Sequence, residues 1–152
     1  MSKRILVPVD GSRPSKRGLA EAIKLARSQK GRLCLLHVVD ERAVALSPEA
    51  GGVYLDRLLN VMRESGKKIL AQAAGAARAR GVKVSTVLVE NITRTVADVV
   101  VAHARKWHAD LIVIGTHGRR GVSRLVMGSD AENVVRTTPV PVLLVRASTR
   151  SR

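Results

Sequence analysis

Three glycines and a serine near the carboxyl end of the chain have the spacing of a phosphate-binding loop. The pattern is Gly115-x2-Gly118-x9-Gly128-Ser129. Glycine lets the backbone approach a ligand closely, and Gly128-Ser129 directly precedes a predicted helix whose free N–H groups attract anions. The stretch also contains three arginines that can neutralise phosphate charge: Arg119, Arg120 and Arg124. The alternative interpretation is a glycine-rich surface loop followed by a helix with Ser129 as its N-cap.

Polar residues also follow three of the other predicted strands. These segments are Asp10-Gly11-Ser12, Asp40-Glu41 and Glu90-Asn91. In an open parallel sheet, ligands bind beyond the carboxyl ends of the strands, at the point where the strand order reverses. The candidate site is therefore predicted at this edge of the sheet, together with the glycine-rich stretch.

Two other nucleotide-binding motifs are missing from the sequence. No G-x-x-x-x-G-K-[ST] motif occurs, because Gly66-Lys67-Lys68 lies within a predicted helix and lacks the earlier glycine. Asp10-Gly11-Ser12 follows the first strand, where a dinucleotide-binding fold carries G-x-G-x-x-G. These absences argue against a nicotinamide-dependent dehydrogenase. His117 is interpreted as a hydrogen-bonding loop residue or a phosphate contact, since no activated nucleophile accompanies it.

The elements that must position these residues alternate between short apolar runs and longer helical patterns. Strands are predicted at 5–9, 33–39, 82–89, 111–114 and 142–145. Helical spacing of apolar residues predicts a first helix around 19–26, a long second helix from about 55 to 81, a third helix after the capping box at Thr95, and a short fourth helix at about 129–136.

The strand at 111–114 is apolar throughout, which is typical of a parallel strand buried on both faces. The order β-α-β-α-β-α-β-α-β predicts a doubly wound, Rossmann-like α/β fold with helices on both faces of the sheet. No repeat or second domain is indicated, so residues 1–152 are predicted to form a single domain.

Composition narrows the range of partners. Phe is absent, and Tyr54 and Trp107 are the only aromatic residues, so the chain cannot supply the stacking platform of single-stranded nucleic-acid binders. The net charge of +15 favours anionic partners, but the basic residues are spread from Lys3 to Arg152 without a dense tract. Specific nucleic-acid binding is therefore not predicted.

The cellular location of the protein is predicted from three features that the sequence lacks: a second cysteine, a membrane-spanning stretch and a signal peptide. Cys34 is the only cysteine, so no intramolecular disulfide can form, and its apolar neighbours at 33–36 mark it as a small core residue. No apolar stretch approaches the length of a membrane span, and the first residues do not have the pattern of a signal peptide. We expect a cytoplasmic protein with no membrane association.

Four segments of the sequence resemble the ATP-binding subgroup of the universal stress protein family. They are the glycine pattern above and residues 5–12 (ILVPVDGS), 36–40 (LHVVD) and 139–145 (PVPVLLV). They occur in the family's order, and the resemblance covers essentially the whole chain. It implies a five-stranded parallel sheet of order 3-2-1-4-5, ATP as the bound cofactor with or without Mg²⁺, and usually a homodimer.

The resemblance also implies roles for residues at the ribose and the base. Asp10 would accept hydrogen bonds from the ribose hydroxyls, and Pro8 and Val9 would line the same strand end. Val38 would meet the adenine through its backbone.

A second group of residues would surround the phosphates. Ile114 and Gly115 would pack under the ribose and phosphates. His117, Gly118 and Arg119 would flank the triphosphate. The phosphate oxygens would be held by Gly128, Ser129 and the amide of Asp130.

Asp130 departs from the family pattern, which commonly has a small apolar residue at this position. A carboxylate beside phosphates repels them unless it points outward or holds a metal. An acidic residue in the first turn of a helix is also favourable with the helix dipole, and this is the interpretation we adopt for Asp130.

Three functions fit these observations. The first is an adenine-nucleotide-binding module that acts in stress response or signalling, with slow hydrolysis at most. The alternative is an ATPase or nucleotide transferase that uses the same pocket. The third is a nucleic-acid-associated protein that uses the +15 charge, which steep salt dependence of DNA binding would reveal.

The fifth strand predicts how the chain assembles. Residues 140–145 are apolar, and Pro139 and Pro141 lack N–H donors, which suits the start of an edge strand. An apolar edge strand is rarely left bare, so we predict a homodimer in which this strand pairs antiparallel with its own copy about a two-fold axis. The alternative is a monomer whose edge is kept solvated by Arg146 and the basic tail.

Overall fold

The computed structural model describes residues 2–41, 52–91, 93–116 and 129–147. Strands and helices alternate in the predicted order, with ends that differ from the prediction by a few residues. The strands are β1 (Arg4–Pro8), β2 (Arg32–Asp40), β3 (Lys83–Asn91), β4 (Leu111–Thr116) and β5 (Val142–Arg146). The helices are α1 (Arg13–Ser28), α2 (Gly52–Ala79), α3 (Val96–Trp107) and α4 (Ser129–Thr137).

All five strands form one parallel sheet of order β3-β2-β1-β4-β5, which confirms the predicted order. β1 lies at the centre, where Leu6 is in register with Cys34 on one side and Ile112 on the other. The strand order reverses between β1 and β4. This reversal opens a crevice at the carboxyl ends of these two strands, where ligands bind in folds of this class.

Helices cover both faces of the sheet, as predicted, and each face has its own apolar core. On one face α1 and α2 pack on Ile5, Val7 and Leu35. On the other face α3 and α4 pack on Leu6, Leu36 and Ile112. The alternation along β1 follows from the two-residue period of a strand, which sends successive side chains to opposite faces.

Side-chain and glycine caps fix where the helices begin and end. Ser12 is the N-cap of α1, and its hydroxyl accepts the N–H of Ser15 at 3.2 Å. Thr95 caps α3 in the same way, accepting the N–H of Asp98 at 3.1 Å, as its sequence predicts. Gly81 has a φ of +75° just after α2, a conformation that favours glycine and stops the helix.

Cys34 lies in the core, with 1% of its surface exposed, which confirms its interpretation as a buried residue. Its Sγ lies 3.6 Å from Nε2 of His103 on α3. Burial raises the pKa of the thiol, which keeps it protonated. Within the described ranges, none of the helices combines the length and the apolar character that a bilayer crossing requires. Residues 42–51, between β2 and α2, lie outside the described residues.

Candidate functional site

A cavity of about 340 Å³ lies at the carboxyl ends of β1, β2 and β4. The first turns of α1 and α4 and the start of α3 complete its walls. Its described lining residues fall into two groups. From β1, α1 and the segment between them come Pro8, Val9, Asp10, Ser12, Pro14 and Ser15. From the other elements come Leu36, His37, Val38, Val96, Ile114, Gly115, Ser129, Asp130 and Ala131.

Eight residues predicted for the nucleotide site lie together in this wall, although they are spread over more than a hundred positions of sequence. They are Pro8, Val9, Asp10, Val38, Ile114, Gly115, Ser129 and Asp130. The other four predicted site residues, His117, Gly118, Arg119 and Gly128, lie outside the described residues.

Asp10 is held in a fixed orientation by the turn between β1 and α1. Its Oδ1 accepts the N–H of Ser12 at 2.8 Å, and its own N–H donates to the hydroxyl of Ser15 at 3.1 Å. A carboxylate anchored through one oxygen keeps acceptor capacity for a further donor, because each ionised carboxylate has about four lone-pair sites. Asp10 is exposed at the cavity, so such a donor could come from a bound molecule.

Gly115 is required by a close contact between β4 and the first turn of α1. A Cβ at Gly115 would lie 1.7 Å from the backbone oxygen of Pro14. The contact is mutual, since a Cβ at Gly18 would lie 2.8 Å from the backbone nitrogen of Gly115. These two glycines let the N-terminus of α1 sit directly against the end of β4. The sequence analysis assigned Gly115 to the ligand, and the structure gives it a packing role as well.

His37 joins the site without having been predicted. Its ring Nδ1–H donates to the backbone oxygen of Val9 at 2.7 Å, which ties the end of β2 to the end of β1. The backbone N–H of Val9 in turn donates to the oxygen of Leu36 at 2.8 Å. His37 therefore fixes the spacing between two strands that line the cavity. Its position within a run of apolar strand residues was the available signal.

Ser12 and Ser15 also line the cavity and were not predicted as site residues. The sequence places Ser12 at a strand end and predicts no contact between it and a ligand. Since Ser12 is the N-cap of α1, the first turn of that helix joins the first turn of α4 and the start of α3 at the same cavity. Helix N-termini present unpaired N–H groups and a partial positive charge, so the cavity has three sources of positive potential.

Asp130 contributes negative charge to the same cavity. Burial raises the pKa of its carboxyl group, and the nearby carboxylates of Asp40 and Asp10 raise it further. Asp130 lies in the first turn of α4, as the helix-dipole interpretation requires. It also lines the cavity, so its charge acts on any anion bound there.

The charges of the residues that line the cavity determine which ligands it can bind. Asp10 and Asp130 are carboxylates, and no Lys or Arg occurs among the described lining residues. Positive potential in the described wall therefore comes from the N-termini of α1, α3 and α4. The part of the chain that the structure describes contains no group of three His, Cys, Asp or Glu side chains arranged to hold a metal ion.

Comparison with known proteins identifies the group to which this architecture belongs. The model of the universal stress protein family matches residues 1–146. The universal stress protein YxiE of Bacillus subtilis (strain 168) is 33% identical over 151 residues, covering 96% of this chain and all of that protein.

Solved structures agree on the fold. The crystal structure of a universal stress protein family member from Burkholderia pseudomallei superposes with a TM-score of 0.76 at 31% identity, covering 94% of this chain and 95% of that one. The universal stress protein from Archaeoglobus fulgidus in complex with dAMP has a TM-score of 0.64 at 20% identity, covering 95% and 98%. At that identity the second likeness concerns the fold alone.

Proposed function

Since the chain belongs to the universal stress protein family, we propose that it is an adenine-nucleotide-binding module whose ligand is ATP. One observation carries the proposal. Eight residues that the family resemblance assigns to a nucleotide site come from separate strands and helices and line one cavity. The cavity lies at the topological switch point of the sheet, and the N-termini of α1, α3 and α4 line it, which suits an anionic ligand.

The proposed binding mode follows the positions of the lining residues. The ribose lies against Asp10, whose second carboxylate oxygen accepts a hydroxyl, and the adenine lies along the backbone near Val38. The phosphates lie at the start of α4, where the N–H groups after Ser129 and its hydroxyl can donate to them. The glycine-rich stretch that follows β4 supplies the remaining contacts through Gly118, Gly128 and Arg119.

Related architecture supports an adenine nucleotide as the ligand class. The universal stress protein from Archaeoglobus fulgidus forms a complex with dAMP on the same fold. The choice of ATP over other adenine nucleotides rests on the resemblance of the glycine pattern to that of the ATP-binding universal stress proteins. Mg²⁺, where present, would be carried by the phosphates.

We propose binding with slow hydrolysis at most. The imidazole in the described wall is that of His37, whose Nδ1–H donates to the oxygen of Val9 and whose Nε2 lies against α2, 3.0 Å from where a Cβ at Gly66 would stand. A general base must lie within hydrogen-bond reach of the proton it takes. Turnover of ATP with Mg²⁺ well above the uncatalysed rate would favour the alternative, an ATPase or transferase in the same pocket.

Two further proposals concern the setting of the protein. We place it in the cytoplasm, because a single buried Cys34 fits a reducing compartment. We also propose a homodimer through β5, which is an edge strand of the sheet with Leu143 exposed. Sedimentation should show a dimer at tens of micromolar protein, and a double variant with Val142→Lys and Leu144→Lys should be monomeric.

The experiment that tests the proposed ligand is mass spectrometry of the small molecules that copurify after gentle isolation. An adenine nucleotide at about one per chain is the expected result. Recovery of a different molecule in stoichiometric amount would overturn the assignment of ATP.

A further inference from the structure

A second cavity, of about 410 Å³, lies between α1 and α2 on the face of the sheet that these helices cover. Its walls are apolar. α1 contributes Leu19, Ala20 and Ile23, and α2 contributes Ile69, Ala73 and Ala76. Pockets for small molecules in proteins have volumes of roughly 300–1,000 Å³ and mostly apolar walls, so this cleft is large enough for a ligand.

The cleft forms because α2 turns small side chains toward α1. Residues 69, 73 and 76 share one face of the helix, as their spacing of four and three positions requires. Two of these three residues are alanines, and Ala20 opposes them from α1. Larger side chains there would fill the space between the helices and bury it. Instead, the apolar side chains of Leu19 and Ile23 form the floor of an open groove.

The rim of the cleft is basic. Lys16, Lys24, Arg27 and Arg80 line it, and no Asp or Glu does so among the described residues. Lys24 forms an exposed ion pair with Glu21 at 3.0 Å. The side chains of the other three basic residues have no ion-pair partner in the described part of the chain. Three cationic groups thus lie beside apolar surface with no protein anion to pair with.

Basic charge is densest at one end of the cleft. Arg27 and Arg80 also line an adjoining hollow of about 390 Å³, together with Lys30, Arg32 and Lys83. An anionic group at this end would meet two guanidinium groups, which hold carboxylate and phosphate through paired hydrogen bonds. The cleft therefore joins an apolar channel to an anion-binding end.

We propose that the cleft between α1 and α2 binds a single-chain amphiphilic anion, with its alkyl chain between the helices and its carboxylate or phosphate headgroup on Arg27 and Arg80. Charge complementarity selects the headgroup, and the apolar walls select the chain. Lys16 and Arg27 are eleven positions apart on α1, about 16 Å along the helix axis, which accommodates an extended alkyl chain of medium length. The site shares Val9 and Ser15 with the wall of the proposed nucleotide pocket but does not depend on that proposal.

Calorimetric titration of the full chain with dodecanoate, below its micellar concentration, tests the proposal. We expect one saturable site per chain. Butyrate keeps the carboxylate and lacks the long chain, whereas dodecyltrimethylammonium keeps the chain and reverses the charge. Both should bind at least about tenfold more weakly, because each loses one of the two complementary contacts. Heats that do not saturate, or equal binding of all three compounds, would overturn the proposal.

Matched variants locate the site. Ala76→Phe should fill the cleft and weaken dodecanoate at least about tenfold, since overfilled apolar sites do not accommodate extra carbon. Ala71→Phe places the same ring on an exposed position of α2 outside the cleft and should leave affinity unchanged. If Ala76→Phe loses cooperative thermal unfolding, Ala20→Phe blocks the cleft from α1 instead. Equal affinities in a folded blocking variant and in Ala71→Phe would contradict the assignment.

A second set of variants tests whether the anionic headgroup lies on Arg27 and Arg80. The double variant Arg27→Gln and Arg80→Gln should weaken dodecanoate about tenfold or more, because charged hydrogen bonds are lost. Arg78→Gln removes a neighbouring exposed charge that does not line the cleft and should have no effect. Dodecyl phosphate compared with dodecanoate distinguishes the two anionic headgroups. Attachment to anionic phospholipid vesicles that survives both Ala76→Phe and added dodecanoate would show surface charge alone and would overturn the proposal.

Discussion

The two cavities share Val9 and Ser15 but are built by different means. The cavity at the strand ends is made of turns, helix N-termini and side chains whose hydrogen bonds fix their positions. The cleft between α1 and α2 is made of helix faces whose side chains are too small to close it. The strand-end cavity is formed by polar groups placed around it, whereas the cleft stays open because the side chains between the two helices are small. Polar motifs therefore locate the first, whereas only the packed structure reveals the second.

The largest expected effect is a loss of stability at Gly115, where β4 packs against the backbone of α1 beside the strand-end cavity. Gly115→Ala should destabilise the fold by at least about 3 kcal/mol, because the added Cβ would lie 1.7 Å from the oxygen of Pro14 and the backbone must move. Gly75→Ala is the matched control. Nothing lies within 4 Å of the Cβ it adds on α2, so it should stabilise the fold by roughly 0.5–1 kcal/mol. Urea unfolding measures both, and equal stabilities would show that the contact is not rigid.

The next effect concerns the proposed ribose contact. Asp10→Ala should weaken ATP by roughly tenfold to a hundredfold, since one charged hydrogen bond is worth about 1.5–3 kcal/mol. Inorganic triphosphate has no ribose and should lose much less. Calorimetric titration of both ligands separates the two cases. An equal loss for both would remove Asp10 from the ribose site and leave it as a residue of the β1–α1 turn.

A smaller effect is expected at Asp130. Replacing its carboxylate with the amide in Asp130→Asn should tighten ATP by at most about fivefold at neutral pH, since charges exposed to solvent interact by about 1 kcal/mol or less. A lower affinity in the variant would mean that the carboxylate helps to hold the ligand.

The stability of the Asp130→Asn variant is expected to depend on pH differently from that of the unmodified protein. The folded protein holds the pKa of Asp130 above its unfolded value, so the ionised group lowers stability above the unfolded pKa. This cost is complete above the raised folded pKa, shrinks as the pH falls below that value, and is gone below the unfolded pKa. Asp130→Asn should therefore have a higher Tm than the unmodified protein near neutral pH, and the difference should vanish in acid. A constant difference across that range would show that ionisation of Asp130 is not its cause.

The last prediction is that a change in one cavity leaves the affinity for the other cavity's ligand unchanged, which tests whether the two cavities are independent. Ala76→Phe blocks the apolar cleft and should leave ATP affinity within about twofold, because residues that lack shared partners act additively. Asp10→Ala should likewise leave dodecanoate affinity unchanged. Titration of each variant with both ligands completes the comparison. A mutual change in affinity would show that Val9 and Ser15 couple the two cavities.

Sequence patterns predicted the fold well because the relevant signals are local. Apolar runs such as 111–114 marked buried parallel strands, and the capping box at Thr95 marked the start of α3. The N-cap at Ser12 was not predicted, so the first helix was expected around 19–26, whereas α1 begins at Arg13. The resemblance to the universal stress proteins supplied the strand order, which the structure confirms. The resemblance also predicted that residues from separate segments share one site, and eight of these residues line one cavity in the structure.

The parts that escaped prediction depend on tertiary contact. The closeness of Gly115 to Pro14 follows from how α1 sits on β4, and the bond from His37 to Val9 joins adjacent strands. Asp130 fits a helix N-terminus by its sequence, whereas its position near the carboxylates of Asp40 and Asp10 depends on the whole site. The apolar stripe of α2 has the same period whether it packs tightly or lines a cleft.

Titration of the purified, nucleotide-free protein with ATP and Mg²⁺ tests the central claim most directly, with Gly118→Val and Gly128→Val as comparisons. We predict saturable binding of one nucleotide per chain by the unmodified protein. Both variants should remain folded and lose binding, because their side chains would block the approach of backbone N–H groups to the phosphates. Absence of binding to the unmodified protein, or unchanged affinity in both folded variants, would contradict the proposed nucleotide site.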